Sequence, residues 1–205
     1  MHNSFILFCA LNAVKGMVIK MKRIDMRFDQ NTLKKWIGKN FVKYKCDPFA
    51  YTNSVTAIAG IFIDKEVYKL TNIQTTVDYF GVNDDCGVFT LEQTENNEIK
   101  SLFDNVEQVE TPVSEIIQKI TVVNENQQIY KNQEQTYDVW LTRCIIFHFS
   151  DREISFEKDN IPFSEEIIIR RGYELVKQLS SEKDFLEGWD DEITPQCSRE
   201  YIEIE

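Results

Sequence analysis

Hydrophobic and polar positions along this chain alternate mostly with a period of two, the pattern of β-strands that bury one face. Residues 41–46, 55–63, 66–71, 76–80 and 88–92 are rich in β-branched and aromatic side chains. Asp-Pro, Asp-Lys and Asn-Asp-Asp turn material separates them. Spacing of roughly ten residues between short strands, with no helix of crossover length, predicts an antiparallel sheet and not βαβ units. Ahead of them, residues 29–38 read as a short helix. Asp29 or Asn31 can cap it, Leu33, Trp36 and Ile37 fall at helical spacing, and Gly38 can end it.

A polar stretch at 94–111 interrupts the pattern and closes on Thr111-Pro112. Four segments follow from this: an N-terminal extension (1–21), a β-rich half with a leading helix (22–93), a linker (94–112), and a second β-rich half (113–205). In the second half, 116–123, 137–149, 153–157 and 166–170 read as strands, with 137–149 the longest. Residues 172–179 and 181–188 read as helices, the latter opened by a Ser181-x-x-Asp184 capping pattern. Beyond Asp190 the tail is acidic, and 201–204 can form a closing strand. The expected fold class is α+β and mainly antiparallel β. Each half is a small barrel or curled sheet, with a short N-terminal helix and C-terminal helices.

Sliding the chain by 87 residues lays Asp64-Lys65-Glu66-Val67 on Asp151-Arg152-Glu153-Ile154, Ile58 on Ile145 and Phe62 on Phe149. Internal duplication would produce this match. Two hairpins with charged tips would also produce it, and four identities favour that simpler reading slightly.

Charge changes the picture by its position. The formal net charge is −11 over 205 residues, yet residues 1–46 hold ten Lys or Arg against Asp25 and Asp29, a local +8. The remaining chain carries −19. A basic front on an acidic body bears on partners and solubility. Residues 5–14 are apolar but lack the basic leader of a secretory signal, and they are too short to span a bilayer. Five widely spaced cysteines without a CxxC suggest neither a zinc ribbon nor a redox pair. These features predict a cytoplasmic protein without a membrane contact.

Candidate chemistry is sparse. His2 and His148 are the only histidines, so a multi-His zinc site within one chain is impossible. Cys144 and His148 stand four residues apart on the predicted strand, about 13 Å along it, which rules out a Cys-His dyad. No Gly-rich phosphate loop occurs, and no cofactor or metal is expected. Asp84 and Asp85 at a turn, followed by Glu98 and Lys100, have the outline of a metal-dependent nuclease motif. In that chemistry the carboxylates hold Mg²⁺ and the lysine steadies the attacking water. This is the enzymatic alternative, although Glu98 and Lys100 sit in loop-like sequence.

The basic stretch offers Lys34, Lys35, Trp36, Lys39 and Lys43, a mixture of cations and aromatics that suits a small RNA- or DNA-binding regulator. Packing of this front against the acidic body, or against an acidic partner, ranks ahead of it. The acidic body offers Glu153, Glu157, Asp159, Glu165, Glu166, Asp190 and Asp191 as a partner-binding set. Arrayed on a β-rich surface, such carboxylates can occupy the basic groove of a nucleic-acid-handling protein. The leading expectation is a non-catalytic acidic protein-interaction module, in the manner of an inhibitor or immunity-type antagonist of a basic protein.

Overall fold

A computed structural model describes residues 23–50, 52–79, 82–159 and 164–205, with backbone alone for 77–79 and 82–84. The predicted extension at 1–21 lies outside the described residues. Twelve strands are described: β1 (Ile24–Met26), β2 (Asn40–Cys46), β3 (Ser54–Thr56), β4 (Ile58–Ile63), β5 (Glu66–Tyr79), β6 (Val82–Thr94), β7 (Val109–Ile116), β8 (Lys119–Lys131), β9 (Glu134–His148), β10 (Glu153–Lys158), β11 (Glu166–Gly172) and β12 (Ile193–Ile204). Two four-residue helices, α1 (Asn31–Lys34) and α2 (Lys183–Leu186), and two 3-10 turns, Asn96–Glu98 and Leu175–Gln178, complete the set. The fold is thus mostly antiparallel β with few helical residues.

The strands form two sheets. One runs β12-β8-β9-β10-β11-β3, with β1 lying parallel to the far half of β9; the other runs β6-β5-β4-β2-β7. Neither sheet closes among the described residues, so the expected small barrels are replaced by two open sheets. They share one core. Ile120, Val122, Ile145, Phe147, Ile154 and Phe156 of the first sheet meet Phe41, Tyr44, Ile61, Ile63, Tyr68 and Leu70 of the second. Phe147 lies at the centre, stacked on Trp36 at 5.9 Å and edge-on to Phe41 at 5.0 Å. Aromatic pairs at such distances add to the area term of burial.

The outer face of the first sheet is covered as well. Leu175, with Val176 and Leu179, packs on Val123, Cys144 and Ile146. This explains why β9 reads as apolar on both faces: it is central in its sheet and sandwiched on both sides.

Three differences from the sequence reading have identifiable causes. The predicted strand 55–63 is two strands in different sheets, because Ala57 takes a left-handed φ of 60° and redirects the chain. β3 therefore pairs with β11, and the segments on either side of residue 112 interlock around one core. The Thr111-Pro112 boundary falls inside β7, where an edge position tolerates proline. Finally, the acidic tail is the long strand β12, which pairs with β8 along its whole length.

The 87-residue match fares differently in the two hairpins. The first turns at Asp64-Lys65, flanked by the Ile63–Glu66 pair. The second turns at Ser150-Asp151, closed by the Phe149 N–H on the Arg152 carbonyl at 2.9 Å. The match sets the first residue of one turn on the second residue of the other. A one-residue offset reverses every face. Phe62, which packs under Lys43 away from the core, is thereby matched to core-facing Phe149. Convergence of two hairpins accounts for the similarity better than duplication.

Candidate functional site

The proposed partner-binding carboxylates divide sharply by burial. Residues 153, 155 and 157 alternate onto the outer face of the first sheet, which the 173–190 segment covers. Glu157 is 0% exposed; it pairs with Arg170, lies 3.7 Å from Arg143 Nε and accepts the Ser180 N–H at 3.0 Å. It cannot meet a partner, and this corrects its assignment. Glu153 binds His148 Nδ1 at 3.0 Å and the Leu175 N–H at 2.7 Å, so it fastens the covering segment. Glu165 accepts the Gln74 N–H at 2.9 Å, and the Asp159 carbonyl accepts from Arg143 at 3.0 Å. Glu166, Asp190 and Asp191 remain exposed.

The basic set is also redistributed. Trp36 is 0% exposed in the core, as are Phe41 and Tyr44, so no ring among them offers a face for base stacking. The combined basic-aromatic surface is corrected accordingly. Lys39 pairs with Glu66 at 3.1 Å and Lys43 with Glu110 at 2.6 Å; Lys34 and Lys35 stay exposed. Part of the basic front is therefore neutralised by the body.

The carboxylates of the enzymatic alternative are held apart. β6 runs unbroken from Val82 to Thr94, with Asp85 opposite Thr76 and hydrogen-bonded by it at 2.6 Å. Glu98 lies in the 3-10 turn beyond the far end of that strand. Nine residues of strand separate Asp85 from Thr94, about 30 Å. The side chain of Asp84 lies outside the description. Among the described residues no three His, Cys, Asp or Glu side chains group as metal ligands. His148 is held between Glu153 and Thr121, whose Oγ1 is 2.8 Å from Nε2, and burial lowers its pKa against the partial opposition of Glu153. Burial pushes the Cys46 and Cys197 thiols up to about 12 and raises Cys144 well above its ordinary value. Nucleophilic chemistry at these thiols is disfavoured.

A different feature stands out, in the stretch read as a linker. Residues 95–108 fold back over the outer face of the second sheet. Ile99 is their plug: it is 1% exposed and packs with Ala57 and Ile58. It sits over Gly60, where a Cβ would come within 2.9 Å of its Cγ2. Glycine is required there by close approach. Beyond Ile99 the carboxylate of Asp47, just past β2, clamps both ends of the loop. Ser101 Oγ donates to it at 2.8 Å and Gln108 Nε2 at 3.1 Å. Ser101 Oγ also accepts the Phe103 N–H at 3.0 Å, and Asn105 takes a left-handed φ of 64°. Hydrogen bonds to an ionised group are stronger than neutral ones, so the clamp is firm.

This anchored loop borders an open groove of about 610 Å³ beside Lys45 and Glu110. Its apolar side chains point outward: Leu102 is 49% exposed, Phe103 57%, and Val106 and Val109 are exposed too. Asp104 and Glu107 lie among them, with no ion-pair partner among the described residues. Such a surface offers apolar contact and negative charge, not a paired acid and base. The sequence signals were the Leu102-Phe103 pair inside a polar stretch and Asp47 at a strand end, and neither had marked a site. No described protein family, curated protein or solved structure matches the chain.

Proposed function

We propose that the protein is a non-catalytic binding module whose acidic surface engages a protein with a basic surface. The observation that carries this reading is the fate of the chain's own positive charge. Arg27, Lys39, Lys43, Lys69, Lys119 and Arg152 all pair with carboxylates of the same chain. Asp104, Glu107, Glu166, Asp190 and Asp191 are left exposed without an ion-pair partner among the described residues. Lys34, Lys35, Lys65, Lys100 and Lys183 stay exposed as well, but with a formal net charge of −11 carboxylates are in excess, and such a surface attracts a cationic partner and speeds its encounter. In its finer form the reading is of an inhibitor or immunity-type antagonist that occupies the nucleic-acid groove of such a partner.

The test is affinity capture from a nuclease-treated lysate of the cell of origin, with elution by rising salt and identification by mass spectrometry. A basic protein released as ionic strength rises supports the reading, because exposed charge pairs are screened by salt. Recovery of nucleic acid alone from an untreated lysate, with no protein partner in either, overturns it.

A further inference from the structure

We propose that the groove beside the Asp47-clamped loop is the docking site for a Lys/Arg-rich protein segment that carries one large apolar side chain. This inference rests on the acidic-binding reading and gives it a location and a partner chemistry. Phe103 and Val106 line the groove, and the exposed Leu102 and Val109 (the first residue of β7) fall within the same eight residues of sequence. Scattered apolar side chains are ordinary on a surface, but a cluster on one anchored loop marks an interaction site. Ordering is already supplied by Asp47, Ser101 and Gln108, and by Ile99 seated on Gly60. A loop fixed before binding loses little conformational entropy when a partner arrives.

The polar groups specify the sign of the partner. Asp104 and Glu107 line the groove beside Lys45, Lys100 and a Glu110 already paired with Lys43, and the stretch 95–110 as a whole holds Glu95, Glu98, Asp104, Glu107 and Glu110 against Lys100 alone. Gln108, also in the lining, donates its amide to Asp47 and keeps an enclosed Oε1 without a partner among the described residues. The exposed carboxylates of Asp104 and Glu107 call for N–H donors, which lysine and arginine supply. The exposed Phe103 ring further suits a cation laid across its face or an apolar anchor set against its edge.

The mode of docking follows from the neighbouring edge strand. β7 ends its sheet, so its outer side is unpaired among the described residues. However, Pro112 interrupts its donors. Between the Phe41–Glu115 and Lys43–Pro112 pairs, two β7 residues oppose one of β2, with Ser114 at a φ of 56°. Proline and a bulge both disfavour addition of another strand. The partner is therefore taken by its side chains and not by extending the sheet.

The test is a fluorescence anisotropy titration of the full chain with a labelled Lys/Arg-rich peptide bearing one central tryptophan, and with the same peptide bearing alanine there. At about 50 mM salt the tryptophan peptide is expected to bind about fivefold tighter or better. Phe103→Ala, and Asp104→Asn with Glu107→Gln, should each weaken it about fivefold or more. Glu166→Gln with Asp190→Asn should change it less than about twofold. All these positions are exposed, and circular dichroism confirms that each variant folds. Binding that ignores the loop variants overturns the docking site and leaves the acidic-binding reading intact. Failure of both cationic peptides to bind the wild-type chain overturns the two together.

Discussion

Glu157→Gln is the substitution in which surface and interior readings of one carboxylate diverge most. Glu157 is 0% exposed; of its two cationic neighbours Arg143 is buried with it at 1%, and Arg170 is partly exposed at 20%. Glutamine keeps the size of the side chain and an oxygen to accept the Ser180 N–H, so packing and that bond survive. The charge alone is lost, and two guanidinium groups remain in a site where water cannot replace the carboxylate. Removing one partner of a buried ion pair costs about 3–5 kcal/mol. The partial exposure of Arg170 places the expected loss near the lower end, about 3 kcal/mol. For a chain of this length that corresponds to a fall in Tm of about 6–12 °C. Urea unfolding followed by circular dichroism measures it, and an unchanged m-value confirms that the denatured state is comparable. Glu166→Gln, at an exposed position of the neighbouring strand, serves as control and should stay within about 0.5 kcal/mol of wild type. A Glu157→Gln protein as stable as that control would refute the assignment of Glu157 to the interior.

Three further outcomes are expected. Gly60→Ala should destabilise the chain by about 1–3 kcal/mol through collision with Ile99, and adding Ile99→Ala should recover part of that loss in urea unfolding. Burial keeps the folded-state pKa of His148 below its ordinary value of 6.5, with Thr121, Glu153, Lys119 and Glu203 facing the ring. The unfolded chain therefore takes up that proton first as pH falls through about 6.5, and the native state loses stability there. His148→Gln should lose less stability than wild type on going from about pH 7.5 to 5.5, as read by thermal unfolding at each pH. Alkylation of Cys46 and Cys197 by iodoacetamide, read by peptide mass spectrometry, should run at least about tenfold slower in the native chain than in urea. Equal rates would contradict the burial of Cys46 and the partial enclosure of Cys197.

Local pattern carried the strands, because each must put apolar side chains on one face at every second residue. It located β2, β9, β10 and β11 closely, and it marked β9 as the longest and doubly buried. Three things were not legible. The left-handed backbone at Ala57 leaves no compositional trace, yet it moves β3 into the other sheet and ties the two halves together. The far part of β8 was missed because its buried positions are polar, and only the end of β12, 201–204, was read as a strand, its earlier part lying half-exposed in an acidic tail. Asn124, Glu125, Asn126 and Gln127 are enclosed by partners such as Asp138 and Arg199, which lie far away in sequence. The covering of the first sheet's outer face by 173–190 turned Glu153 and Glu157 from candidate contacts into internal anchors, which alternation alone could not reveal. At the candidate site the difficulty was similar. The polarity of 94–111 suggested a linker, whereas the clamp depends on Asp47 meeting Ser101 and Gln108 across more than fifty residues. Trp36 was misplaced for the same reason: grouped with the neighbouring lysines as a surface ring, it falls at helical spacing with Leu33 and sits in the core.

The most direct test of binding through the acidic loop compares capture by the wild-type chain with capture by an Asp104→Lys, Glu107→Lys variant from the same lysate. Both positions are exposed, so the reversal leaves the interior untouched. The expected result is a basic protein retained by wild type and lost by the variant. Equal retention of the same partner by both chains would contradict it.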